Sequence, residues 1–494
     1  MIQFRTLFLS VFGLFMMACA REEIIVSETS VQDTPIGMQA QKGRLRLKFK
    51  SRFAGKAEQA VYTRAGTGDI RIVSMKRLFP FAGKFEERTR KAGLHLWYEV
   101  EFDEQTPVTR ALALLGDTTE IEIAEPVYII RNTGGDGTAP FNDPELSRQW
   151  HYSNTGELPN SVAGADINLF AAWQKNQGSR EVIVAVIDGG IDYRHEDLSG
   201  NVGNPAELFG EPGVDDDGNG YIDDIYGWNF INGTNQIEAD DHGTHVAGTI
   251  GAENNNGVGV CGIAGRHGGN TGVWLLSCQL FGTIDGREVS ASFPEMIKYA
   301  ADAGAVIAQN SWGYENITYL PRADQEAIDY FIQYAGVDER GEQTGPMKGG
   351  VVIFAAGNAN KDYRTYPAAY EKVVSVAAYA PDYKKSWYSN FADWVDIAAP
   401  GGTYGYGRKY NGECPVYSTL PDNQYGYMQG TSMACPHVSG IAALIVSQFG
   451  GPGFTPEKLL AHLYQGTRDI DIYNPEYAGR LGIGAADAYL ALAE

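Results

Sequence analysis

Residues 182–192 read Val-Ile-Val-Ala-Val-Ile-Asp-Gly-Gly-Ile-Asp. The unbroken apolar, mostly β-branched run leaves no polar face, so Val182 to Ile187 is expected to be a strand covered on both sides. Asp188 then stands at the carboxyl end of that strand, and two glycines let the chain turn away. Similar runs recur at Val273 to Leu280, Val306 to Asn310, Val351 to Ala355 and Val373 to Ala377. Helical patterns cover His242 to Ala252, Ser290 to Ala303, Thr431 to Phe449 and Thr455 to Gln465. Buried strands alternating with helices predict a parallel α/β sheet covered on both faces. Function in such sheets gathers at the carboxyl ends of the strands.

Two further segments carry chemistry. His-Gly-Thr-His-Val-Ala-Gly-Thr, residues 242–249, opens a helix with His242, and Gly-Thr-Ser-Met-Ala-Cys-Pro-His-Val-Ser-Gly, residues 430–440, opens another near Ser432. Pro436 is expected in or just after the first turn of that helix, where a missing N–H is least damaging. A serine hydroxyl is a poor nucleophile until an imidazole takes its proton, and the imidazole needs a carboxylate to fix its tautomer and stabilise its charge. Asp188, His242 and Ser432 are the residue types that this division of labour requires. A helix amino terminus at Ser432 adds backbone N–H groups near a developing oxyanion, and Asn358 of Ala-Ala-Gly-Asn, residues 355–358, offers a side-chain donor at another strand end. Each residue has a plainer role when taken singly, as a helix cap or a packing group. It is the order and setting of all of them that favour catalysis. His195, His245, His437 and Cys435 are expected to be structural, and Asp192 to orient its loop.

These segments resemble the subtilisin family of serine proteases over roughly Gln149 to Ala493. The resemblance implies a three-layer fold around a seven-stranded parallel sheet, and peptide-bond hydrolysis through an acyl-enzyme with Asp188, His242 and Ser432 as triad and Asn358 in the oxyanion hole. It also implies that Ser311, Trp312 and Gly313, with Ala355, Ala356 and Gly357, bind an extended peptide substrate. None of these is charged and neither is Thr365, so a neutral, apolar primary specificity is expected.

The composition is that of a globular protein, with 44% hydrophobic and 20% charged residues over 494 positions, too many for one ordinary domain. A net charge of −22 excludes nucleic-acid binding as the main activity, because phosphate contacts need clustered Lys and Arg. Gln41 to Val100 runs the other way, with 15 Lys and Arg against 5 Asp and Glu, which suggests either a solvated basic face or a segment that docks on an acidic partner. Beyond Cys19, the cysteines 261, 278, 414 and 435 are too scattered for a disulfide framework.

Asp215 to Asp224, Asp-Asp-Asp-Gly-Asn-Gly-Tyr-Ile-Asp-Asp, has oxygen ligands at alternate positions and a glycine at the sixth, the pattern that wraps a chain around Ca²⁺. Asp215, Asp217, Asn219, Tyr221, Asp223 and Asp224 are the candidate ligands. The twelfth position is Tyr226 rather than Glu, so the loop is not an EF-hand. The family resemblance implies a second calcium site at Gln149, Asp197 and Asn256.

The amino terminus reads as an export signal, residues 1–18, with Arg5 before the apolar run Leu7 to Met17. Met16-Met17-Ala18-Cys19 resembles the lipobox of bacterial lipoproteins, which implies a lipid on Cys19 and attachment to a membrane. Residues 19–43 read as a tether. Residues 44–131 alternate strand and helix patterns as a small α+β unit of the ferredoxin-like, split βαβ kind. This unit resembles subtilase propeptides, most clearly at Ile121 to Ile130, which implies an intramolecular inhibitor. The Gly-rich stretch 132–142 is the expected linker and processing region, and 143–494 the catalytic domain.

Overall fold

The computed structural model describes residues 40–57, 61–62, 65, 70–81, 83, 86–116, 119–128, 139–314, 317–404 and 414–493. The expected signal segment with Cys19, almost all of the tether and most of the linker lie outside the described residues. The chain divides into two compact units, residues 1–131 and 132–494.

In the first unit the strands β1 (Ala40–Phe49), β2 (Ile72–Arg77), β3 (Trp97–Phe102) and β4 (Ile121–Tyr128) form an antiparallel sheet in the order β2-β3-β1-β4. Helices α1 (Glu86–Lys91) and α2 (Val108–Gly116) accompany it. The period-two pattern of β1 sends Leu45, Leu47 and Phe49 into a core with Val100, Phe102, Ala111 and Leu115. On its other face Arg44 pairs with Glu99 and Glu101 at 2.9 Å, and Lys48 with Glu122 at 2.8 Å. Part of the basic surplus is therefore answered by acids across the same sheet. The sequence pattern does not reveal β2, because its side chains are mostly half-buried and alternate weakly.

The second unit is built on β5 (Ile183–Asp188), β6 (Gly227–Asn229), β7 (Trp274–Gln279), β8 (Phe281–Ile284), β9 (Arg287–Ser290), β10 (Ile307–Asn310), β11 (Val351–Ala355), β12 (Val374–Tyr379), β13 (Ile397–Pro400), β14 (Val416–Leu420), β15 (Gln424–Met428), β16 (Thr467–Arg468) and β17 (Ala485–Ala486). Its main helices are α3 (Asp241–Gly251), α4 (Phe293–Asp302), α5 (Arg322–Tyr334), α6 (Thr431–Phe449) and α7 (Pro456–Gln465). Nine strands form one sheet in the order β16-β17-β13-β12-β11-β10-β5-β7-β6. Every neighbouring pair is parallel except β16 with β17, both only two residues long. Seven longer parallel strands thus form the α/β sheet that the sequence predicts. Strands β5, β7, β11 and β12 are buried throughout, and two apolar clusters cover the sheet.

The hairpin β14–β15 is not legible in the sequence, because two buried positions of β14 are polar. Ser418 and Thr419 donate to the carbonyls of His245 and Thr244 at 2.8 Å, so the hairpin hydrogen-bonds to the side of α3. Gly248 permits this approach: a Cβ there would lie 2.1 Å from Thr419 Oγ1 and 2.5 Å from Ser418 Oγ. Gly248→Ala is expected to lower stability by about 1–3 kcal/mol through overpacking, measured as a lower midpoint in urea unfolding.

Candidate active site

Asp188 ends β5 and is 1% exposed. Its Oδ1 accepts from the Gly189 N–H at 2.8 Å and lies 2.7 Å from His242 Nδ1. His242 occupies the first turn of α3, where Asp240 caps the helix by accepting from the N–H groups of His242 and Gly243 at 3.0 and 2.9 Å. Burial of the ring opposes its protonation. The charge and hydrogen bond of Asp188, helped by Asp240, outweigh that effect and hold the His242 pKa above the ordinary histidine value.

Ser432 lies in the first turn of α6, entered through Gly430 at φ +153, a conformation that other residues rarely adopt. Pro436 falls in the second turn, later than the sequence suggested. In a regular helix its N–H would bond the Ser432 carbonyl. The proline has none, and the hydroxyl of Ser311 donates to that carbonyl instead, at 2.7 Å. In return, Ser432 Oγ donates to the Ser311 carbonyl at 3.1 Å. A relay of Ser439 Oγ to Gln309 Oε1 and Gln309 Nε2 to Ser311 Oγ, at 2.9 and 2.7 Å, fixes the Ser311 hydroxyl. Asn310 of β10 is in register with Ile187 of β5, so Ser311 and Asp188 are the next residues on adjacent strands. The serine and the carboxylate–imidazole couple therefore flank the same strand ends.

Asn358 follows β11. Its Oδ1 accepts from the Thr431 N–H at 2.8 Å and the Thr431 hydroxyl at 2.9 Å, which leaves Nδ2 as the donor that faces the cleft. The Thr431 hydroxyl also accepts from the Gly357 N–H at 3.1 Å. No sequence signal singled out Thr431.

A cleft of about 900 Å³ is lined by Ser432 and Asn358 together with Ser311, Trp312, Gly313, Ala355 and Gly357. Ala356 belongs to the core instead, where it is fully buried. The cleft is not free of charge, as the sequence had suggested, because Arg364 also lines it.

His245 and His437 are buried, and burial lowers their pKa values to about 3 and about 4. His437 Nδ1 donates to the Met433 carbonyl at 2.7 Å, so its Nε2 is the acceptor for His151 Nδ1 at 2.8 Å. Cys261, Cys278, Cys414 and Cys435 are free and buried, and the Cys435 thiol donates to the Asn310 carbonyl at 3.5 Å. Asp192 accepts from the Arg194 and Asp422 N–H groups and so ties its loop to the β14–β15 turn.

In the acidic loop Gly218 and Gly220 take φ +72 and +95, which permits the tight winding. Asp217 and Asp224 meet Glu207, with one carboxylate oxygen of each within 4.8 Å of the others. Glu207 was not anticipated. It reaches the loop from the short helix Pro205–Leu208, which only tertiary packing brings alongside. Asn204 and Asn219 donate to both Asp217 and Asp224, and Tyr299 donates to Asp224. Asp215 and Asp223 stand outside the cluster. Asp215 accepts the N–H groups of Asn219 and Gly220, while Asp223 turns at φ +53 to accept from Gly213. Tyr221 packs its ring on Trp228, Phe230 and Tyr299, and its hydroxyl donates to Glu295. Glu207 Oε2 is buried without a donor. Burial pushes Asp217 up to about 6 and raises Asp224 and Glu207 as well, with repulsion from neighbouring carboxylates adding to the rise at Asp217 and Glu207. Crowded carboxylates with an unanswered oxygen fit a hard divalent cation.

At the second expected site Asn256 Nδ2 donates to Asp197 Oδ1 at 2.8 Å, while the Gln149 amide is engaged on both atoms by the Cys261 backbone at 2.9 Å. Asp143 stands in this site instead, accepting from the Asn255 and Asn256 N–H groups. Burial, with Asp143 and Glu253 nearby, pushes Asp197 up to about 8.

Asp188→Asn is expected to lower the His242 pKa, read from the ring-proton NMR titration, and to leave His245 and His437 neutral. An unmoved His242 titration would show that the carboxylate does not govern the ring.

The profile of the subtilase family, peptidase S8, matches residues 179–482. The chain is 34% identical over 278 residues to the thermophilic serine proteinase of Bacillus sp. (strain AK1), covering 56% of this chain and 55% of that one. It therefore spans about half the length of that relative. It is 31% identical over 278 residues to thermitase of Thermoactinomyces vulgaris, covering 56% of this chain and 78% of thermitase. It is 28% identical over 514 residues to the extracellular basic protease of Dichelobacter nodosus, covering 96% of this chain and 74% of that protease. With a family profile that takes in more than half of its length, including β5, α3 and α6, the chain belongs to the subtilase family.

Proposed function

We propose that the protein is an exported serine endopeptidase that hydrolyses peptide bonds through an acyl-enzyme. The observation that carries this is the 2.7 Å contact of buried Asp188 with His242, beside a cleft that Ser432 and Asn358 both line. Rotation of the Ser432 side chain away from the Ser311 carbonyl frees Oγ for attack on a substrate carbonyl. His242 takes the proton on Nε2 and later delivers it to the leaving amine, while Asp188 stabilises the imidazolium. Asn358 Nδ2 and the N–H groups at the start of α6 face the developing oxyanion. Ser311 to Gly313, at the end of β10, and Ala355 with Gly357, at the end of β11, form the walls along which an extended peptide lies.

In this reading residues 44–131 are the propeptide and intramolecular inhibitor, with autoprocessing between 132 and 142. A lipid on Cys19 would hold the precursor at the cell envelope until processing. Export is supported by the extracellular relative from Dichelobacter nodosus.

Calcium is the proposed stabilising cofactor. Glu207, Asp217 and Asp224, with the oxygen of Asn219, would hold one ion, and Asp143, Asp197 and Asn256 a second. When bound, the ion supplies positive charge that offsets the repulsion between buried carboxylates, and it takes no part in the chemical step.

Ser432→Ala is expected to abolish labelling by a fluorophosphonate and to leave the precursor uncut. Asn358→Ala should retain labelling but lose on the order of 10²–10³ in kcat, the loss known for a subtilisin without its equivalent donor. Peptidase activity undiminished in Ser432→Ala would sink the assignment.

The acidic sites set a pH dependence. Asp217 and Asp197 have folded pKa values above the ordinary 3.8, so in the absence of metal their contribution is fully present below about pH 4 and lost as pH rises through about 6 and 8. At pH 8 in a chelator, Asp217→Asn is therefore expected to melt above the wild type. In millimolar Ca²⁺ the order should reverse, and calorimetry under both conditions checks it.

A further inference from the structure

The cleft beside Ser432 carries one feature that the catalytic machinery does not use. Among the described residues that line it, Arg364 alone bears a formal charge. Its Nη1 donates to the Ala369 carbonyl at 3.2 Å, next to Ala368 in the cleft wall, which holds the guanidinium at the edge of the cavity. One donor is used there, of the five that a guanidinium offers. The neighbouring acid, Asp362, is engaged by Arg480 at 2.9 Å, and no carboxylate among the described residues pairs with Arg364. Among the described residues, then, a cation without a carboxylate partner faces a cavity whose other polar groups are neutral, including the Thr318 and Tyr363 hydroxyls.

With the acyl carbon of a bound peptide at Ser432 and its oxygen towards Asn358, the residue just before the scissile bond projects its side chain into this cavity. We infer that Arg364 sets the specificity of the cavity for an acidic side chain, Glu above all, at that substrate position. The inference rests on the peptidase reading and deepens it. A carboxylate can accept two parallel hydrogen bonds from a guanidinium, which a neutral amide of the same shape cannot match. Arg364 is exposed, so water and salt weaken the interaction and a preference of about tenfold is expected rather than a thousandfold. The apolar walls still admit Phe or Leu, at a lower rate.

The test uses the full chain, allowed to process itself in Ca²⁺, and peptide p-nitroanilides that differ only in the last residue: Glu, Gln or Phe. At pH 8 and low salt, kcat/KM for Glu should exceed that for Gln by about tenfold, and the gap should narrow in 0.5 M NaCl. Arg364→Gln should remove the gap while changing the Phe peptide by less than about threefold, which also shows that the variant is folded. Arg364→Lys should restore part of the preference. Equal rates on Glu and Gln in the wild type, or a loss in Arg364→Gln that strikes Phe as hard as Glu, would overturn the assignment of Arg364 and leave the peptidase reading standing. A chain that takes up no fluorophosphonate and cleaves none of the peptides removes both.

Discussion

The face that carries Ser432 depends on a carbonyl that its own helix cannot satisfy. Pro436 has no N–H to offer Ser432, and a buried carbonyl without a donor would cost about 1–3 kcal/mol. Ser311 meets the need from the end of β10, and Ser432 returns a hydrogen bond to the Ser311 backbone. What would be a defect in an isolated helix thus becomes the joint that fixes α6 against the central strand of the sheet. Because β10 lies beside β5 in parallel register, the same joint sets Ser432 next to the strand that ends in Asp188. Positions remote along the chain are brought to one place by strand pairing, and the proline makes that place specific.

The electrostatics follow from what each buried group meets. His242 and His245 are one helical turn apart on α3, yet they are pushed in opposite directions. His245 meets a backbone carbonyl and a dry interior, so it stays neutral. His242 meets the carboxylate of Asp188, which stabilises the charged ring enough to overcome burial. In the proposed mechanism, a base that must gain and lose a proton is thereby separated from neighbours that must not. The neutral pair of His151 and His437, the latter on α6, continues this pattern.

The acidic regions obey the same rule with the opposite sign. Glu207, Asp217 and Asp224 are drawn together by loop winding and by donors from Asn204, Asn219 and Tyr299, and those donors do not offset three charges in a partly dry site. Two conditions relieve such a cluster, protonation or a cation, and at neutral pH the cation is the cheaper one. In the proposed reading, stability is in this way tied to a divalent cation supplied by the medium.

The sequence by itself determined the parallel α/β sheet and the residues that stand at its critical ends. Asp188, His242, Asn358 and Ser432 are legible because each lies at the edge of an apolar run whose period is local, and their chemistry is written in residue type. Tertiary structure decided everything that depends on approach from afar. Glu207 replaced Asp215 and Asp223 in the acidic cluster, and Asp143 stood where Gln149 was expected, because neither replacement leaves a trace in local spacing. Thr431 and Ser311 acquired their positioning roles through hydrogen bonds to residues 73 and 121 positions away, and Arg364 its place in the cleft through the packing that brings its segment to the same cavity as Ser432. A hydrophobic pattern reports which side of an element faces inward, since burial is a property of each residue with its near neighbours. It cannot report which distant group will meet that side, since the meeting is fixed only once the strands have paired and the layers have closed.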